Sequence, residues 1–150
     1  MKLAEALQER ADLNRRIQQL RSRLHDNALC QEGEKPAEEP KALINELDCC
    51  LDELETMMAR INLTNCATTV EGKTLTELIA RRDALTLKVS AYRDLVSAAS
   101  QGTYRATRTE IKILPTVDVT KLQKQADDLS KELRLLDNTI QATNWATELL

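Results

Sequence analysis

From residue 44 to residue 61 the apolar side chains Ile44, Leu47, Leu51, Leu54, Met58 and Ile61 alternate steps of three and four without a break. Such steps hold side chains on one stripe of a 3.6-residue helix, whereas a strand, with its period of two, would scatter them over both faces. The spacing predicts a helix over 40–62, with Pro40 suited to its first turn. The same pattern recurs three times. Leu3, Leu7, Leu13, Ile17, Leu20 and Leu24 predict a helix over 2–30. Its length would be roughly 40 Å, at a rise of about 1.5 Å per residue. Leu75, Leu78, Leu85, Val89, Tyr92 and Val96 predict another over 74–100. It is opened by Thr74 and Glu77 at capping-box spacing and stopped by Gly102. Val119, Leu122, Ala126, Leu129, Leu133, Leu136 and Ile140 predict the fourth, with Asp118 as its cap.

The segments between them break the helical pattern. Residues 32–40 hold one glycine and two prolines and read as a hairpin loop. Residues 64–72 are rich in Thr, Asn and Val. These compete with helical hydrogen bonds or favour extended backbone, so the segment reads as a connector with a short strand turned at Gly72. Over 104–114 the period changes to two, with Ile111 and Ile113 opposite Arg108, Glu110 and Lys112, before Pro115 ends the run. This predicts a strand near 104–114, paired with the 66–70 region. The expected fold is therefore mainly α: a four-helix antiparallel bundle in a single domain over 1–150, made of two coiled-coil-like hairpins over 1–65 and 74–150, plus that short β element. The aromatic content is 2%, with no Phe, which fits a bundle better than a sandwich or barrel.

The hairpins resemble each other. An offset of 72 sets Leu3 on Leu75, Glu5 on Glu77, Arg10 on Arg82, Leu13 on Leu85 and Ile17 on Val89. An offset of 79 sets Glu53-Leu54 on Glu132-Leu133 and the Thr64-Asn65 ending on Thr143-Asn144. Heptads match heptads by chance, so the weight rests on the arginines, the paired Glu and the Thr-Asn endings. Charge alternates in step: residues 1–30 carry six basic and four acidic side chains, residues 41–61 two basic and five acidic. Each hairpin thus sets a more basic helix beside a more acidic one, as expected of a pseudo-twofold repeat.

Several functions are excluded or disfavoured on composition. The net charge is −3, with 30% charged residues, and general nucleic-acid binding needs a basic footprint that this lacks. No apolar run in the chain approaches the roughly 20 residues of a membrane span. Glu5, Gln8, Glu9 and Arg10 fall where a signal peptide would be apolar, which predicts a cytoplasmic protein. Cys30, Cys49, Cys50 and Cys66 form no CxxC pair and read as reduced, partly buried thiols. The acids of the second helix lack the Glu-x-x-His partners of a bundle metal site, since His25 is the only histidine and has Ser22 three residues before it. Only three glycines are present, and there is no phosphate loop, dinucleotide fingerprint or nucleophile elbow. The expectation is no cofactor, no metal and no enzymatic activity.

The candidate binding residues are Arg10, Arg82, Arg105, Arg108, Lys112, Asn65 and Asn144. Arg10 and Arg82 interrupt apolar seams, where an unpaired charge costs several kcal/mol, so each should meet a carboxylate or a carbonyl, with Asp48, Asp52 and Asp137 as possible partners. They read either as buried pairs that fix register or as a site for an anionic ligand. Arg105, Arg108 and Lys112 read as a charge-protected edge strand or a phosphate-holding cluster. The Thr-Asn endings satisfy helix C-termini or mark a polar site at one end of the bundle.

The residues Met1 to Leu13, the run TLTELIARRDAL within 74–85, Arg108-Thr109-Glu110-Ile111-Lys112 and Thr116-Val117-Asp118-Val119 together resemble an uncharacterised bacterial family labelled septicolysin. The resemblance spans nearly the whole chain, and the label implies a cytolysin. A secreted pore-former would be expected to show an export signal or a membrane-insertable segment, and the sequence shows neither. The leading expectation is a helical scaffold or interaction protein that self-associates, followed by a module for a small anionic ligand, then by a cytolysin.

Overall fold

A computed structural model describes residues 1–101 and 112–150. Its elements are α1 (Leu3–Asp26), α2 (Pro40–Ala67), β1 (Thr69–Val70), β2 (Lys73–Thr74), α3 (Leu75–Ser100) and α4 (Val119–Ala146). The fold is mainly α, with the helices packed as the pairs α1–α2 and α3–α4. The chain divides into two units: Met1–Thr74 with Thr143–Leu150, and Leu75–Ala142.

In the first unit α1 stops at Asp26, short of the predicted residue 30, because Asn27 caps it. The Asn27 backbone N–H and its Nδ2 both donate to the Arg23 carbonyl, at 3.1 and 2.8 Å, and its Oδ1 accepts the Glu38 N–H at 2.9 Å. Arg23 also pairs with Glu38, Nε to Oε2 at 2.9 Å. That guanidinium holds the Glu38 carboxyl below the ordinary carboxylate range. The loop is therefore tied back to the helix it leaves. Ile17 and Leu20 of α1 pack with Leu43 and Cys50 of α2, with Leu13, Leu24, Leu47 and Leu54 around them. Full burial of a side chain such as Leu20 contributes about 1.5–3 kcal/mol.

The face α2 turns to this core differs from the predicted seam. Leu43, Cys50, Ile61 and Thr64 are buried, and Leu47, Leu54 and Met57 are half-buried, so the packed heptad is 43, 47, 50, 54, 57, 61, 64. Ile44, Leu51 and Met58, expected in the seam, stand 47%, 43% and 45% exposed. Apolar residues occupy both adjacent columns, and only one column can face α1. The cysteines divide likewise, for Cys50 is in the core while Cys30, Cys49 and Cys66 are exposed.

Helix α2 also runs on to Ala67, past the predicted end at 62, because Thr64 Oγ1 donates to the Arg60 carbonyl at 2.8 Å within the helix. After it, β1 and β2 form an antiparallel hairpin with Val70 opposite Lys73 and Thr69 opposite Thr74. Glu71 and Gly72 both have positive φ, 51° and 81°. Two successive residues of that kind are the backbone of a two-residue type I′ turn. β1 thus has a partner across the turn, and the expected pairing of 66–70 with a strand near 104–114 falls largely outside the described residues. Of that predicted strand, 104–111 lie outside the described residues and 112–114 have no regular secondary structure.

The ends of the chain complete the first unit. Leu3 N–H donates to the Thr147 carbonyl and Leu149 N–H to the Met1 carbonyl, both at 2.9 Å. Glu148 bridges the Lys2 ammonium at 2.6 Å and the Met1 amino group at 3.3 Å. Fully buried Thr64 accepts the Leu150 N–H at 3.0 Å, and Arg60 Nε reaches the Leu150 carbonyl at 2.7 Å.

In the second unit α3 and α4 lie antiparallel, joined by Arg93 to Ser130, Arg81 to Glu132 and Arg82 to Asp137. Leu75, Leu78, Leu85 and Val89 of α3 are buried, as are Ala126 and Ile140 of α4. Asp118 caps α4 through its Oδ1, which accepts the Lys121 N–H at 3.1 Å, satisfying a donor that the first helical turn leaves free.

Candidate functional site

Among the described residues every buried side-chain nitrogen and oxygen has a hydrogen-bond partner. Unmet demand for a ligand is therefore absent from their interior, and the candidate sites lie in grooves on the helical hairpins.

The groove between α1 and α2 encloses about 600 Å³. Leu13 and Met57 form its apolar floor, and Glu9, Asp12, Arg16, Asp52, Glu53 and Arg60 rim it. Four carboxylates against two guanidinium groups give the rim a formal charge of −2. Arg16 is already held by Glu46, whose hydrogen bonds at 2.8 and 3.1 Å raise its pKa further, while Arg15 pairs with Asp12. No three His, Cys, Asp or Glu among the described residues converge as metal ligands.

The groove between α3 and α4 encloses about 340 Å³ over Val89 and Leu133. Its charged residues are Arg82, Arg93, Arg134 and Asp137, a formal charge of +2 on a chain whose net charge is −3. The helix periods assemble it: Arg82, Thr86, Val89 and Arg93 fall at steps of four, three and four on α3, and Ser130, Arg134 and Asp137 at four and three on α4. Residues at those steps are neighbours on one helix face. Arg82 Nη2 lies 2.8 Å from Asp83 Oδ1, and its Nη1 lies 3.9 Å from Asp137 Oδ1. Arg93 Nη2 donates to Ser130 Oγ at 2.9 Å.

Of the residues chosen from sequence that lie among the described ones, Arg82 alone lines either groove. Arg10 is half-buried on α1, and its carbonyl accepts the Asn14 side-chain amide at 2.9 Å. Among the described residues none of the expected carboxylates comes within ion-pairing reach of Arg10, whose partial exposure leaves its guanidinium hydrated. Asn65 is half-buried and Asn144 5% exposed, on the last turns of α2 and α4 in the first unit. Thr64, beside Asn65, anchors Leu150. Lys112 is exposed, and Arg105 and Arg108 lie outside the described residues. Sequence reasoning missed Arg93, Arg134 and Ser130. Their helical spacing from Arg82 and Asp137 was the available signal.

A fold of helical hairpins with charged surface grooves defines a helical protein whose class carries no single activity. The chain belongs to the family of unknown function DUF6847, whose model matches residues 10–149. It is similar over its whole length to a solved structure described as a functionally unknown conserved protein from Corynebacterium diphtheriae, with 41% identity, 99% of that chain covered and a TM-score of 0.95. The comparison with curated proteins finds no match. Neither the matching family nor the matching structure carries the septicolysin label, and neither supports a cytolysin. No helix among the described residues is long and apolar enough to cross a membrane.

Proposed function

We propose that the protein is a non-catalytic helical interaction protein that associates with further copies of itself. The observation that carries this reading is a second apolar stripe on each of two helices, with an acidic edge on the first and one basic edge on the second. On α2 the exposed stripe is Ile44, Leu51 and Met58, edged by Asp48, Asp52 and Glu55. On α3 it is Ala80, Ala84, Leu87, Ala91, Leu95 and Ala98, in steps of three and four opposite the buried seam, edged by Arg81 and Lys88 on one side and by Asp83 and Asp94 on the other. Leu87 is 73% exposed.

Stripes of this spacing are the seams of helix–helix contacts, and exposed ones mark interaction surfaces. The α2 stripe of one copy meets the α3 stripe of another with acid beside base, whereas α2 on α2 would set acid against acid. Lys88 Nζ lies 5.8 Å from the Tyr92 ring centroid. Attraction between that cation and the ring face steadies Lys88 at the stripe's edge. Each hairpin of the internal repeat contributes one stripe, though from non-equivalent helices, since the repeat sets α3 on α1 and α4 on α2. A cytoplasmic location is part of it too, because the exposed free thiols of Cys30, Cys49 and Cys66 suit a reducing compartment.

Light scattering across a concentration series tests the reading. A mass above that of one chain, reduced by Leu51→Glu and by Leu87→Glu, is expected. A wild-type chain that stays monomeric at high micromolar concentration overturns it.

A further inference from the structure

We propose that the α3–α4 groove binds a small phosphate-type oxyanion, free or as a monoester. The first ground is an excess of unneutralised guanidinium. Arg16, Arg23 and Arg81 each reach a glutamate on another segment. Among the described residues Arg93 and Arg134 have no carboxylate within ion-pairing distance. Arg93 donates to a neutral hydroxyl, which occupies one of the N–H donors of its fork and leaves the others. Asp137, the groove's own carboxylate, stands 3.9 Å from Arg82, beyond hydrogen-bond reach.

The second ground is which groups remain free to recognise a ligand. The hydroxyl protons of Thr86 and Ser130 are taken by the carbonyls of Arg82 at 2.8 Å and Ala126 at 2.7 Å. Both oxygens therefore act as acceptors, and recognition falls on the guanidinium forks. Forks of that kind match the paired oxygens of phosphate. Arg82 is already hydrogen-bonded to Asp83 at 2.8 Å, so the groove's open guanidinium groups are Arg93 and Arg134, two charges that a dianion matches. The third ground is size and lining. The groove's volume is about 340 Å³, and Val89 and Leu133 offer an apolar wall for the organic part of a monoester. Such a volume lies at the small end of ligand sites. Among the described residues no aromatic side chain lines the groove, and single-stranded nucleic acid relies on such side chains for stacking. The opposite formal charge of the α1–α2 groove makes it an internal control.

Amide-resolved NMR titration of the full chain tests the site, with inorganic phosphate and phenyl phosphate as probes at constant ionic strength. Saturable shifts at residues 86–93 and 130–137 are expected. Arg93→Met with Arg134→Met should weaken binding by about tenfold or more, and Arg21→Met, an exposed arginine of α1, should leave it unchanged. Both replaced side chains are exposed, so the fold should survive; Arg134→Gln alone provides a milder variant if the double one fails to fold. Tighter binding of phenyl phosphate assigns a monoester, and equal binding assigns the free ion. The proposal is overturned if neither probe saturates, if shifts are as large along α1, or if the arginine variants bind as wild type does.

Discussion

Arg82 Nη1 of α3 lies 3.9 Å from Asp137 Oδ1 of α4, close enough for charge attraction and too far for a hydrogen bond. The Arg82 side chain is 31% exposed and that of Asp137 46%, so water solvates both ends of the pair. A charge in an apolar seam is thus accommodated at the rim of the helix pair, with its head in the groove and its stem over the seam. Arg82→Met should change stability by about 1 kcal/mol or less in chemical denaturation, the usual size for an exposed pair. A loss of about 3 kcal/mol or more would identify a desolvated ion pair.

Leu43 and Ile44 are neighbours with opposite fates, 4% and 47% exposed. Leu43→Ala should cost about 2–4 kcal/mol, because it opens a cavity beside Ile17 and Leu20. Ile44→Ala should cost under about 1 kcal/mol in the monomer, since the side chain is already half in water. Urea denaturation at low protein concentration separates the two. Equal losses would restore the seam read from spacing alone.

That pair also shows why part of the fold was legible and part was not. On α4 the apolar residues Leu122, Ala126, Leu129, Leu133, Leu136 and Ile140 form one column, and all are buried or half-buried. On α2 the columns 43, 50, 57 and 44, 51, 58 are both apolar, so periodicity gives the helix without saying which column faces α1. The turn was legible at Gly72 but not at Glu71, which takes positive φ although its residue type seldom does. Its doing so closes the hairpin within two residues and gives β1 a local partner. In the α3–α4 groove Arg82 was visible because it interrupts a seam. Arg93 and Arg134 looked like any solvated arginine on a helix surface until the opposite helix was in place.

The glycine of that turn has its own consequence. Gly72 has φ of +81°, and a Cβ built on it meets nothing within 4 Å. Gly72→Ala therefore has no clash to relieve, and its cost is the left-handed backbone alone, about 1 kcal/mol. Thermal unfolding should register a small drop with helical content unchanged. A loss several times larger would mean that the turn constrains more than the β1–β2 hairpin.

Glu148 gives a dependence on pH. Its carboxyl is held below the ordinary carboxylate range by the hydrogen bond from Lys2 first and by that from the Met1 amino group second. A depressed folded-state pKa means the ionised form favours the folded chain. The contribution is present above the unfolded value, about 4.3, and is lost as pH falls through the lower folded value. Glu38, depressed by Arg23, follows the same sign. Glu148→Gln and Glu38→Gln should each melt below wild type at about pH 7, and both gaps should close below about pH 4 as the wild-type carboxyls protonate. Gaps that persist unchanged into acid would show that these side chains act through packing or neutral hydrogen bonds, and that charge does not hold Glu148 to Lys2 or Glu38 to Arg23.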